Sequence, residues 1–160
     1  MLTETKKKMH FFSEGAITPQ QIADSIARHS KKKNIGAHEI FLGQVRADAI
    51  DGKTVRSIEY SAYVEMAEKE IETIRETIIV KHQLSCAHVL HSLGKVQSGE
   101  ISLFVFVSSP HRKAVMDACH EMVELIKKNV PVFGKEIFDD ESYQWKQNLK
   151  TSVNRNDEIV

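Results

Sequence analysis

The segment "EISLFVFVSS", residues 100 to 109, limits the fold of this chain more than any other stretch. Its side chains are nearly all apolar or small, without the polar alternation that marks a half-exposed strand. A strand of this composition is stable when both of its faces are covered. The sequence therefore predicts a central strand with other elements packed on each side of it.

Four further segments have the composition of strands, and two turn signals separate neighbouring strand-like segments. The strand-like segments are "MHFF" (9–12), "GAHEIFLGQVRAD" (36–48), "KTVRSIEYSAY" (53–63) and "CAHVLHSLG" (86–94). Turn residues occur at Asp51-Gly52 and at Ser98-Gly99. We therefore expect hairpins at these two places.

Three segments repeat apolar side chains at helical spacing. The first follows Thr18-Pro19, which offers an N-cap and a proline suited to the first helical position. The second runs from about Val64 to His82, and the third opens at Ser109-Pro110 and is closed by Pro131. Helices mixed with hairpins predict an α+β fold with a largely antiparallel sheet.

Length and composition narrow the class of protein. The 160 residues suit one domain, which we expect to cover 9–148 between an N-terminal tail (1–8) and a C-terminal tail (149–160). Lys plus Arg equals Asp plus Glu, at 22 each, so no overall field attracts nucleic acid. Two cysteines without a C-x-x-C pattern indicate a reducing compartment, and no apolar run is long enough to span a membrane. The sequence thus predicts a cytoplasmic protein.

His111 and Arg112 stand at the start of the third predicted helix. Free backbone N–H groups and the positive end of the helix dipole favour an anion there. An imidazole and a guanidinium add donors, so the pair is a candidate phosphate or carboxylate site. The alternative is that both are ordinary exposed residues at a helix start.

Lys127 and Lys128 lie in the last turn of the same helix, where capping alone explains cations. A lysine beside apolar walls, such as residues 130–133, has instead a lowered pKa and can donate a proton or act as a nucleophile. Lys127 follows His111 by 16 residues, which is about 24 Å along an unbroken helix. A small site that uses both helix ends therefore needs two copies of the chain.

Other candidate residues carry weaker patterns. His120 and Glu124 are one helical turn apart but leave the H-E-x-x-H pattern incomplete. His88 and His91 have odd spacing in a predicted strand, so they point to opposite faces. We expect no metal site and no cofactor, and a nucleophilic Cys119 has no local signature.

Four motifs together resemble the large, catalytic subunit of molybdopterin synthase. They are "FLGQVRAD", "SSPHRKAV", "IKKNVPVFGKEIF" and "YQWKQN", in the family's order, and the similarity extends from about residue 9 to residue 148. The resemblance implies an α/β-hammerhead type of α+β fold. It also implies transfer of sulfur to cyclic pyranopterin monophosphate (precursor Z), making the dithiolene of molybdopterin in molybdenum cofactor biosynthesis.

The resemblance further implies a protein partner that carries the sulfur. The sulfur would arrive as a thiocarboxylate at the C-terminal Gly-Gly of a small ubiquitin-like subunit, whose tail enters the large subunit beside residues 131–137. Two large subunits would form a homodimer within a heterotetramer, with each pocket drawing on both large chains. A sulfur that is carried by the partner requires neither a catalytic cysteine nor a metal in this chain.

Site residues follow from the same resemblance. Lys127 matches the family's most important lysine, expected at the thiocarboxylate or acyl end, and Lys135 is the candidate second catalytic lysine. The remaining implied substrate-binding residues are Gln44, Val45, Arg46, His111, Arg112, Gly134 and Glu136.

One position departs from the family pattern, because its second lysine falls on Gly134. Lys135 is adjacent, but in a regular strand it points to the opposite face unless a glycine bulge re-aims it. We expect Lys135 to substitute, while Lys128 or a dispensable second lysine are the alternatives. There are two rival functions. One is that of a non-catalytic homologue that binds the phosphate and the partner, and the other is that of a hydrolase that uses Cys119.

Overall fold

Eight strands form one sheet in residues 10–146, which are the residues that the computed structural model describes. Both predicted tails, together with residues 9, 147 and 148, lie outside this range. The strands are β1 (Phe12–Glu14), β2 (Ala37–Gln44), β3 (Ala49–Ile50), β4 (Lys53–Ala62), β5 (Cys86–Gln97), β6 (Ile101–Ser109), β7 (Val132–Phe138) and β8 (Tyr143–Trp145). Their order is β2-β6-β5-β4-β7-β8, with β1 paired to β5 and β3 to β4. Only the β1–β5 pair among them is parallel, so the largely antiparallel sheet is confirmed.

Three helices accompany this sheet: α1 (Pro19–His29), α2 (Val64–His82) and α3 (Arg112–Asn129). The predicted α+β class and number of helices are confirmed. At the start of α1, the Thr18 hydroxyl accepts a hydrogen bond from the Gln21 N–H, and the Gln21 side chain accepts one from the Thr18 N–H. Helix α3 begins later than predicted, with His111 as its N-cap, because β6 continues through Ser109, which pairs with Ala37.

Strand β6 is covered on both faces, as its composition predicts. Its residues from 102 to 109 are all buried. Leu103, Val105 and Val107 belong to the main core with α2 and α3, while Phe104 and Phe106 pack against α1 on the other face. The sheet is therefore a middle layer, with α2 and α3 on one side and α1 on the other.

The predicted hairpin at Asp51-Gly52 is also confirmed. Ile50 of β3 pairs with Lys53 of β4 across the two-residue turn. Both turn residues have positive φ, 50° at Asp51 and 76° at Gly52, as a two-residue turn between twisted strands requires. By contrast, the strand predicted over residues 9–12 begins only at Phe12, where pairing with β5 starts.

The end of α3 is held beside the middle strands of the sheet. The Tyr63 N–H donates to the Pro131 carbonyl at 3.3 Å, and β7 then starts with Val132 opposite Ala62 of β4.

Within residues 10–146, no helix is both long enough and apolar enough to cross a membrane.

Candidate active site

A cavity of about 160 Å³ lies between the last turn of α3 and strands β4, β5 and β7. Two lysines, Lys127 and Lys146, and the rings of Tyr60 and His91 provide its polar groups. The other lining residues are Ile126, Val130, Pro131, Val132, Phe133 and Gly134. Because none of the described residues that line this cavity is acidic, its charge favours an anionic ligand.

Lys127 enters the cavity from the last turn of α3. Its pKa is lowered from the usual lysine value, chiefly by burial and in addition by the positive charge of Lys146. Solvent still reaches the side chain, so this desolvation is partial. The consequence is an ammonium group that is more acidic than usual and that an anion between the two lysines would stabilise.

His91 forms a buried, neutral wall of the same cavity, with 5% of its surface exposed. Its Nδ1–H donates to the Ser92 carbonyl at 2.7 Å, which leaves Nε2 without a proton. Burial, and to a lesser extent the charge of Lys127, lowers the pKa of His91 to about 4, against a hydrogen bond that raises it. His91 is therefore uncharged at neutral pH and does not repel a second cation.

Tyr60 packs edge-on against His91, with ring centroids 5.1 Å apart. Its hydroxyl donates to the Ser102 hydroxyl at 3.2 Å. Burial raises the pKa of Tyr60, the hydrogen bond to Ser102 opposes this, and the Glu136 carboxylate raises it further. The phenol therefore keeps its proton. Sequence spacing singled out neither Tyr60 nor His91 as functional, because they approach each other only through the pairing of β4 with β5.

Gly134 lies directly opposite Tyr60 in the β4–β7 pair. No bulge at this glycine re-aims Lys135, because the register shift in this pair lies between Val55 and Ser57. A Cβ at position 134 would stand 3.0 Å from Ile58 Cγ2 and 3.7 Å from Lys146 Cβ. A larger side chain at this position therefore needs a small shift of Ile58.

Lys135 lies on the opposite face of β7 from Gly134, since successive residues of a regular strand alternate. Its ammonium sits 4.9 Å from the centre of the Tyr143 ring, a cation–π contact, and the residue pairs with Trp145 of β8. It does not line the cavity. The structure therefore brings Lys146, and not Lys135, to Lys127.

Glu136 points to the same face of β7 as Gly134 and is 8% exposed. Its Oε2 has no hydrogen-bond partner among the described residues. Glu136 pairs with Ile58 of β4, two residues from Tyr60, and its charge contributes to the raised pKa of Tyr60. Glu136 is thus a buried acid on the face of β7 that Gly134 also occupies, and it does not line the cavity.

The other expected binding residues lie apart from this cavity in a single chain. His111 and Arg112 are exposed at the far end of α3, which runs unbroken to Asn129. The His111 N–H donates to the Ser109 hydroxyl at 3.4 Å. The helix length that separates them from Lys127 is therefore present in the structure.

The segment at the end of β2, residues 44–46, has one buried and two exposed members. Gln44 and Arg46 are exposed, and the Arg46 guanidinium pairs with Asp48 at 3.4 Å. Val45 is 2% exposed, and its N–H and carbonyl are bonded to Glu100 and Gly99. Direct ligand contact in this segment is therefore open to Gln44 and Arg46, whereas Val45 anchors the chain between them.

A cluster of three side chains outside the cavity has the composition of a metal site. His29, Cys86 and His88 place their ligand atoms within 4.8 Å of one another, and His29 Nε2 lies 2.9 Å from His88 Nε2. Burial and the neighbouring cations lower the pKa of His88 to about 4. The cluster joins α1 to β5, and the two imidazoles already satisfy each other by a hydrogen bond. Spacing could not predict it, because its members come from distant segments.

Cys119 is a buried thiol on α3. Burial, and secondarily the charge of Glu39, raises its pKa to about 11. Because the thiolate is the nucleophilic form, this environment is the opposite of one that activates a cysteine.

An aromatic groove adjoins the cavity and consists of Ser61, Ala62, Tyr63, Phe133 and Trp145, with a volume of about 380 Å³. Tyr63, Phe133 and Trp145 are 65%, 42% and 57% exposed. Phe133 borders both the groove and the cavity. Exposed aromatic clusters of this kind are typical of protein interaction sites.

The fold and the cavity define an α+β protein with a small cationic pocket beside an aromatic groove. Residues 13–129 match the family model described as "MoaE protein". A Dictyostelium discoideum relative is 39% identical, with 72% of this chain and 75% of the relative covered, and a Pyrococcus abyssi relative is 37% identical, with 74% and 79% covered. Both are named molybdopterin synthase catalytic subunit. The chain therefore belongs to the MoaE family, as the resemblance predicted.

Solved structures give the same result for the fold. The molybdopterin synthase of Staphylococcus aureus superposes with a TM-score of 0.74 at 29% identity, covering 88% of this chain and 98% of that one. A Helicobacter pylori structure, the complex of subunits 1 and 2 of molybdopterin-converting factor, has the same fold, with a TM-score of 0.75 at 18% identity, covering 89% and 92%. Coverage of curated relatives varies, since the chain spans 59% of the length of a Bos taurus relative that is 39% identical.

Proposed function

We propose that this chain is the large subunit of a molybdopterin synthase and acts as a sulfurtransferase. It would move sulfur from the thiocarboxylated C-terminus of a small subunit to precursor Z. The observation that carries this proposal is the cavity with Lys127 and Lys146 and no acidic lining residue. A terminal thiocarboxylate is a monoanion at the end of a thin peptide, which suits this charge and this size.

The size of the cavity bears on what each chain contributes. About 160 Å³ is below the roughly 300 Å³ at which pockets for drug-sized ligands begin, so it admits a peptide end and not a tricyclic pterin. The pterin therefore requires further surface from a second large subunit. Arg46, His111 and Arg112 are exposed cationic or polar residues that a second copy could bring to its phosphate. This geometry supports a homodimer within a heterotetramer.

The aromatic groove would receive the small subunit before its tail reaches the cavity. Tyr63, Phe133 and Trp145 are exposed, and Phe133 also borders the cavity. Aromatic residues dominate the binding energy of many protein interfaces. The tail would then run as an extended peptide along residues 131–137 towards Lys127.

The sulfur transfer balances without an oxidant, a reductant or a cysteine of this chain. In each transfer, the sulfur of R–COS⁻ bonds to a substrate carbon while that carbon's oxygen substituent leaves with a proton from Lys127, giving an acyl thioester. Water then adds to the acyl carbon and the acyl C–S bond breaks, releasing R–COO⁻, the substrate thiolate and two protons, one of which restores Lys127. Two sulfurs require two transfers and two thiocarboxylates.

Lys127 is the proton donor in this proposal because its pKa is lowered towards the operating pH. Before the transfer its charge also holds the anionic thiocarboxylate in the cavity. His91 lies in the wall of the same cavity and remains neutral, so the positive charge that the substrate meets there comes from the lysines. Tyr60 retains its proton, which it donates to Ser102, and so forms an uncharged part of the cavity wall.

A second candidate function is a non-catalytic homologue that binds the partner and the phosphate. The glycine at position 134 favours it, since the family pattern has a lysine there. The hydrolase alternative has weaker support because Cys119 is held as a thiol.

We also place the protein in the cytoplasm, and its two free, buried cysteines accord with a reducing compartment.

Reconstitution separates the two candidate functions. The chain is mixed with precursor Z and a small subunit ending in a Gly-Gly thiocarboxylate, and dithiolene product is measured; the same small subunit ending in a carboxylate is the control. Product with the thiocarboxylate alone supports the synthase. A stable complex that yields no product would instead support the non-catalytic homologue.

A further inference from the structure

We propose that Lys146 is the second cationic residue of this pocket and, with Lys127, binds the acyl end of the small subunit, in place of a side chain at position 134. This inference rests on the proposed function and adds a residue to it.

The backbone places Lys146 beside Gly134. The Lys146 N–H donates to the Gly134 carbonyl at 2.7 Å, just after β8 ends at Trp145. The Lys146 Cβ is 3.7 Å from the point where a Cβ of residue 134 would stand. The side chain of Lys146 therefore starts within one van der Waals contact of the place where a side chain at 134 would start.

The side chain then enters the same cavity as Lys127. Both lysines line it, and the charge of Lys146 is felt by the ammonium of Lys127. Two like charges that face one cavity without an acidic lining residue destabilise each other until an anion lies between them. A carboxylate or thiocarboxylate has two acceptor atoms and can accept from both lysines at once.

The other lysines near this segment do not meet these conditions. Lys135 is engaged with Tyr143 on the opposite face of β7, and neither Lys128 nor Lys135 lines the cavity. Lys146 is also exposed, so its removal is not expected to unfold the protein. The second cation is thus supplied by the residue that directly follows β8 and not by β7.

Binding of the small subunit tests this inference without turnover. A small subunit made as an intein thioester is converted to its C-terminal carboxylate or its C-terminal amide, and the affinity of each for the chain is measured by titration calorimetry. Wild type should prefer the carboxylate by roughly ten- to hundred-fold, the value of a charged hydrogen bond. Lys146→Ala should lose most of this preference, while Lys146→Arg and the exposed α2 control Lys69→Ala keep it. Equal preference in wild type and Lys146→Ala would overturn the inference.

If neither form of the small subunit binds, the proposed function is refuted. A second measurement then tests by itself whether Lys127 and Lys146 share the cavity. Lysines are reductively methylated with ¹³C and the Lys127 resonance, assigned with Lys127→Arg, is titrated by NMR. Lys146→Ala should raise the pKa of Lys127, since it removes a like charge. An unchanged Lys127 titration would show that the two ammonium groups do not share the cavity.

Positional equivalence is tested by moving the lysine. Gly134→Lys introduced together with Lys146→Ala should restore the carboxylate preference, whereas Gly134→Ala with Lys146→Ala should not. Because a Cβ at 134 stands 3.0 Å from Ile58 Cγ2, thermal unfolding of both double variants is measured first. A folded Gly134→Lys double variant that fails to restore the preference would contradict the claim that Lys146 occupies this position.

Discussion

The buried His91 makes the free energy of unfolding depend on pH, over a range that is set by how far burial lowers its pKa. Its pKa is about 4 in the folded protein and 6.5 as the ordinary histidine value. As the pH falls below 6.5, the unfolded chain takes up a proton first, so the free energy of unfolding decreases until the folded protein is protonated near pH 4. The full contribution is present above pH 6.5.

The size of the effect follows from the width of this window. Each pH unit inside the window changes the free energy by about 1.4 kcal/mol per proton, so His91 accounts for a loss of about 2 kcal/mol between pH 7.5 and pH 5, including the gradual onset around pH 6.5. Stopping at pH 5 keeps most carboxylates ionised. His88 has a similarly lowered pKa and contributes in the same direction, so the two histidines must be separated by mutation.

The assay is urea unfolding at pH 7.5 and pH 5.0 on wild type and His91→Asn, whose amide preserves the donor to the Ser92 carbonyl. We expect wild type to lose about 2 kcal/mol more than His91→Asn between the two pH values. His120→Asn, at an exposed position on α3, is the control and should behave as wild type. Equal losses in wild type and His91→Asn would refute the burial of a neutral imidazole beside Lys127.

Two further predictions concern a thiol and a turn. Cys119→Ala should retain product formation, and iodoacetamide should leave Cys119 unmodified in the folded protein at pH 7.5, since burial raises its pKa to about 11; loss of product with Cys119→Ala would revive a thiol mechanism. Gly52→Ala should reduce the free energy of unfolding by about 1 kcal/mol, because Gly52 has a φ of 76° in the β3–β4 turn, and thermal unfolding that matches wild type would contradict this assignment.

Much of the fold was predictable because its signals are local. Helix α2 has the predicted bounds, Val64–His82, since an apolar stripe over this many residues is a strong helical signal. The central position of β6 followed from its lack of polar alternation. The start of α3 was predicted too early, because the pairing of Ser109 with Ala37 extends β6 into the expected helix start.

The site was predictable only in part, because it is assembled across strands. Strand periodicity indicated that Lys135 and Gly134 point to opposite faces, and the geometry agrees. The arrival of Lys146 depends on β8 folding back along β7, which no local pattern specifies. The "YQWKQN" motif contributed to the family resemblance, yet only the bond from Lys146 to Gly134 reveals where this lysine goes.

The catalytic role of Lys127 is tested most directly by single-turnover formation of dithiolene product. Wild type and Lys127→Ala are each mixed with precursor Z and an excess of thiocarboxylated small subunit, and complex formation is checked by gel filtration. We expect Lys127→Ala to retain the fold and the partner but to lose at least roughly a hundred-fold in rate, as expected when a general acid is removed. Product formation at the wild-type rate by Lys127→Ala would contradict the proposed sulfur-transfer site.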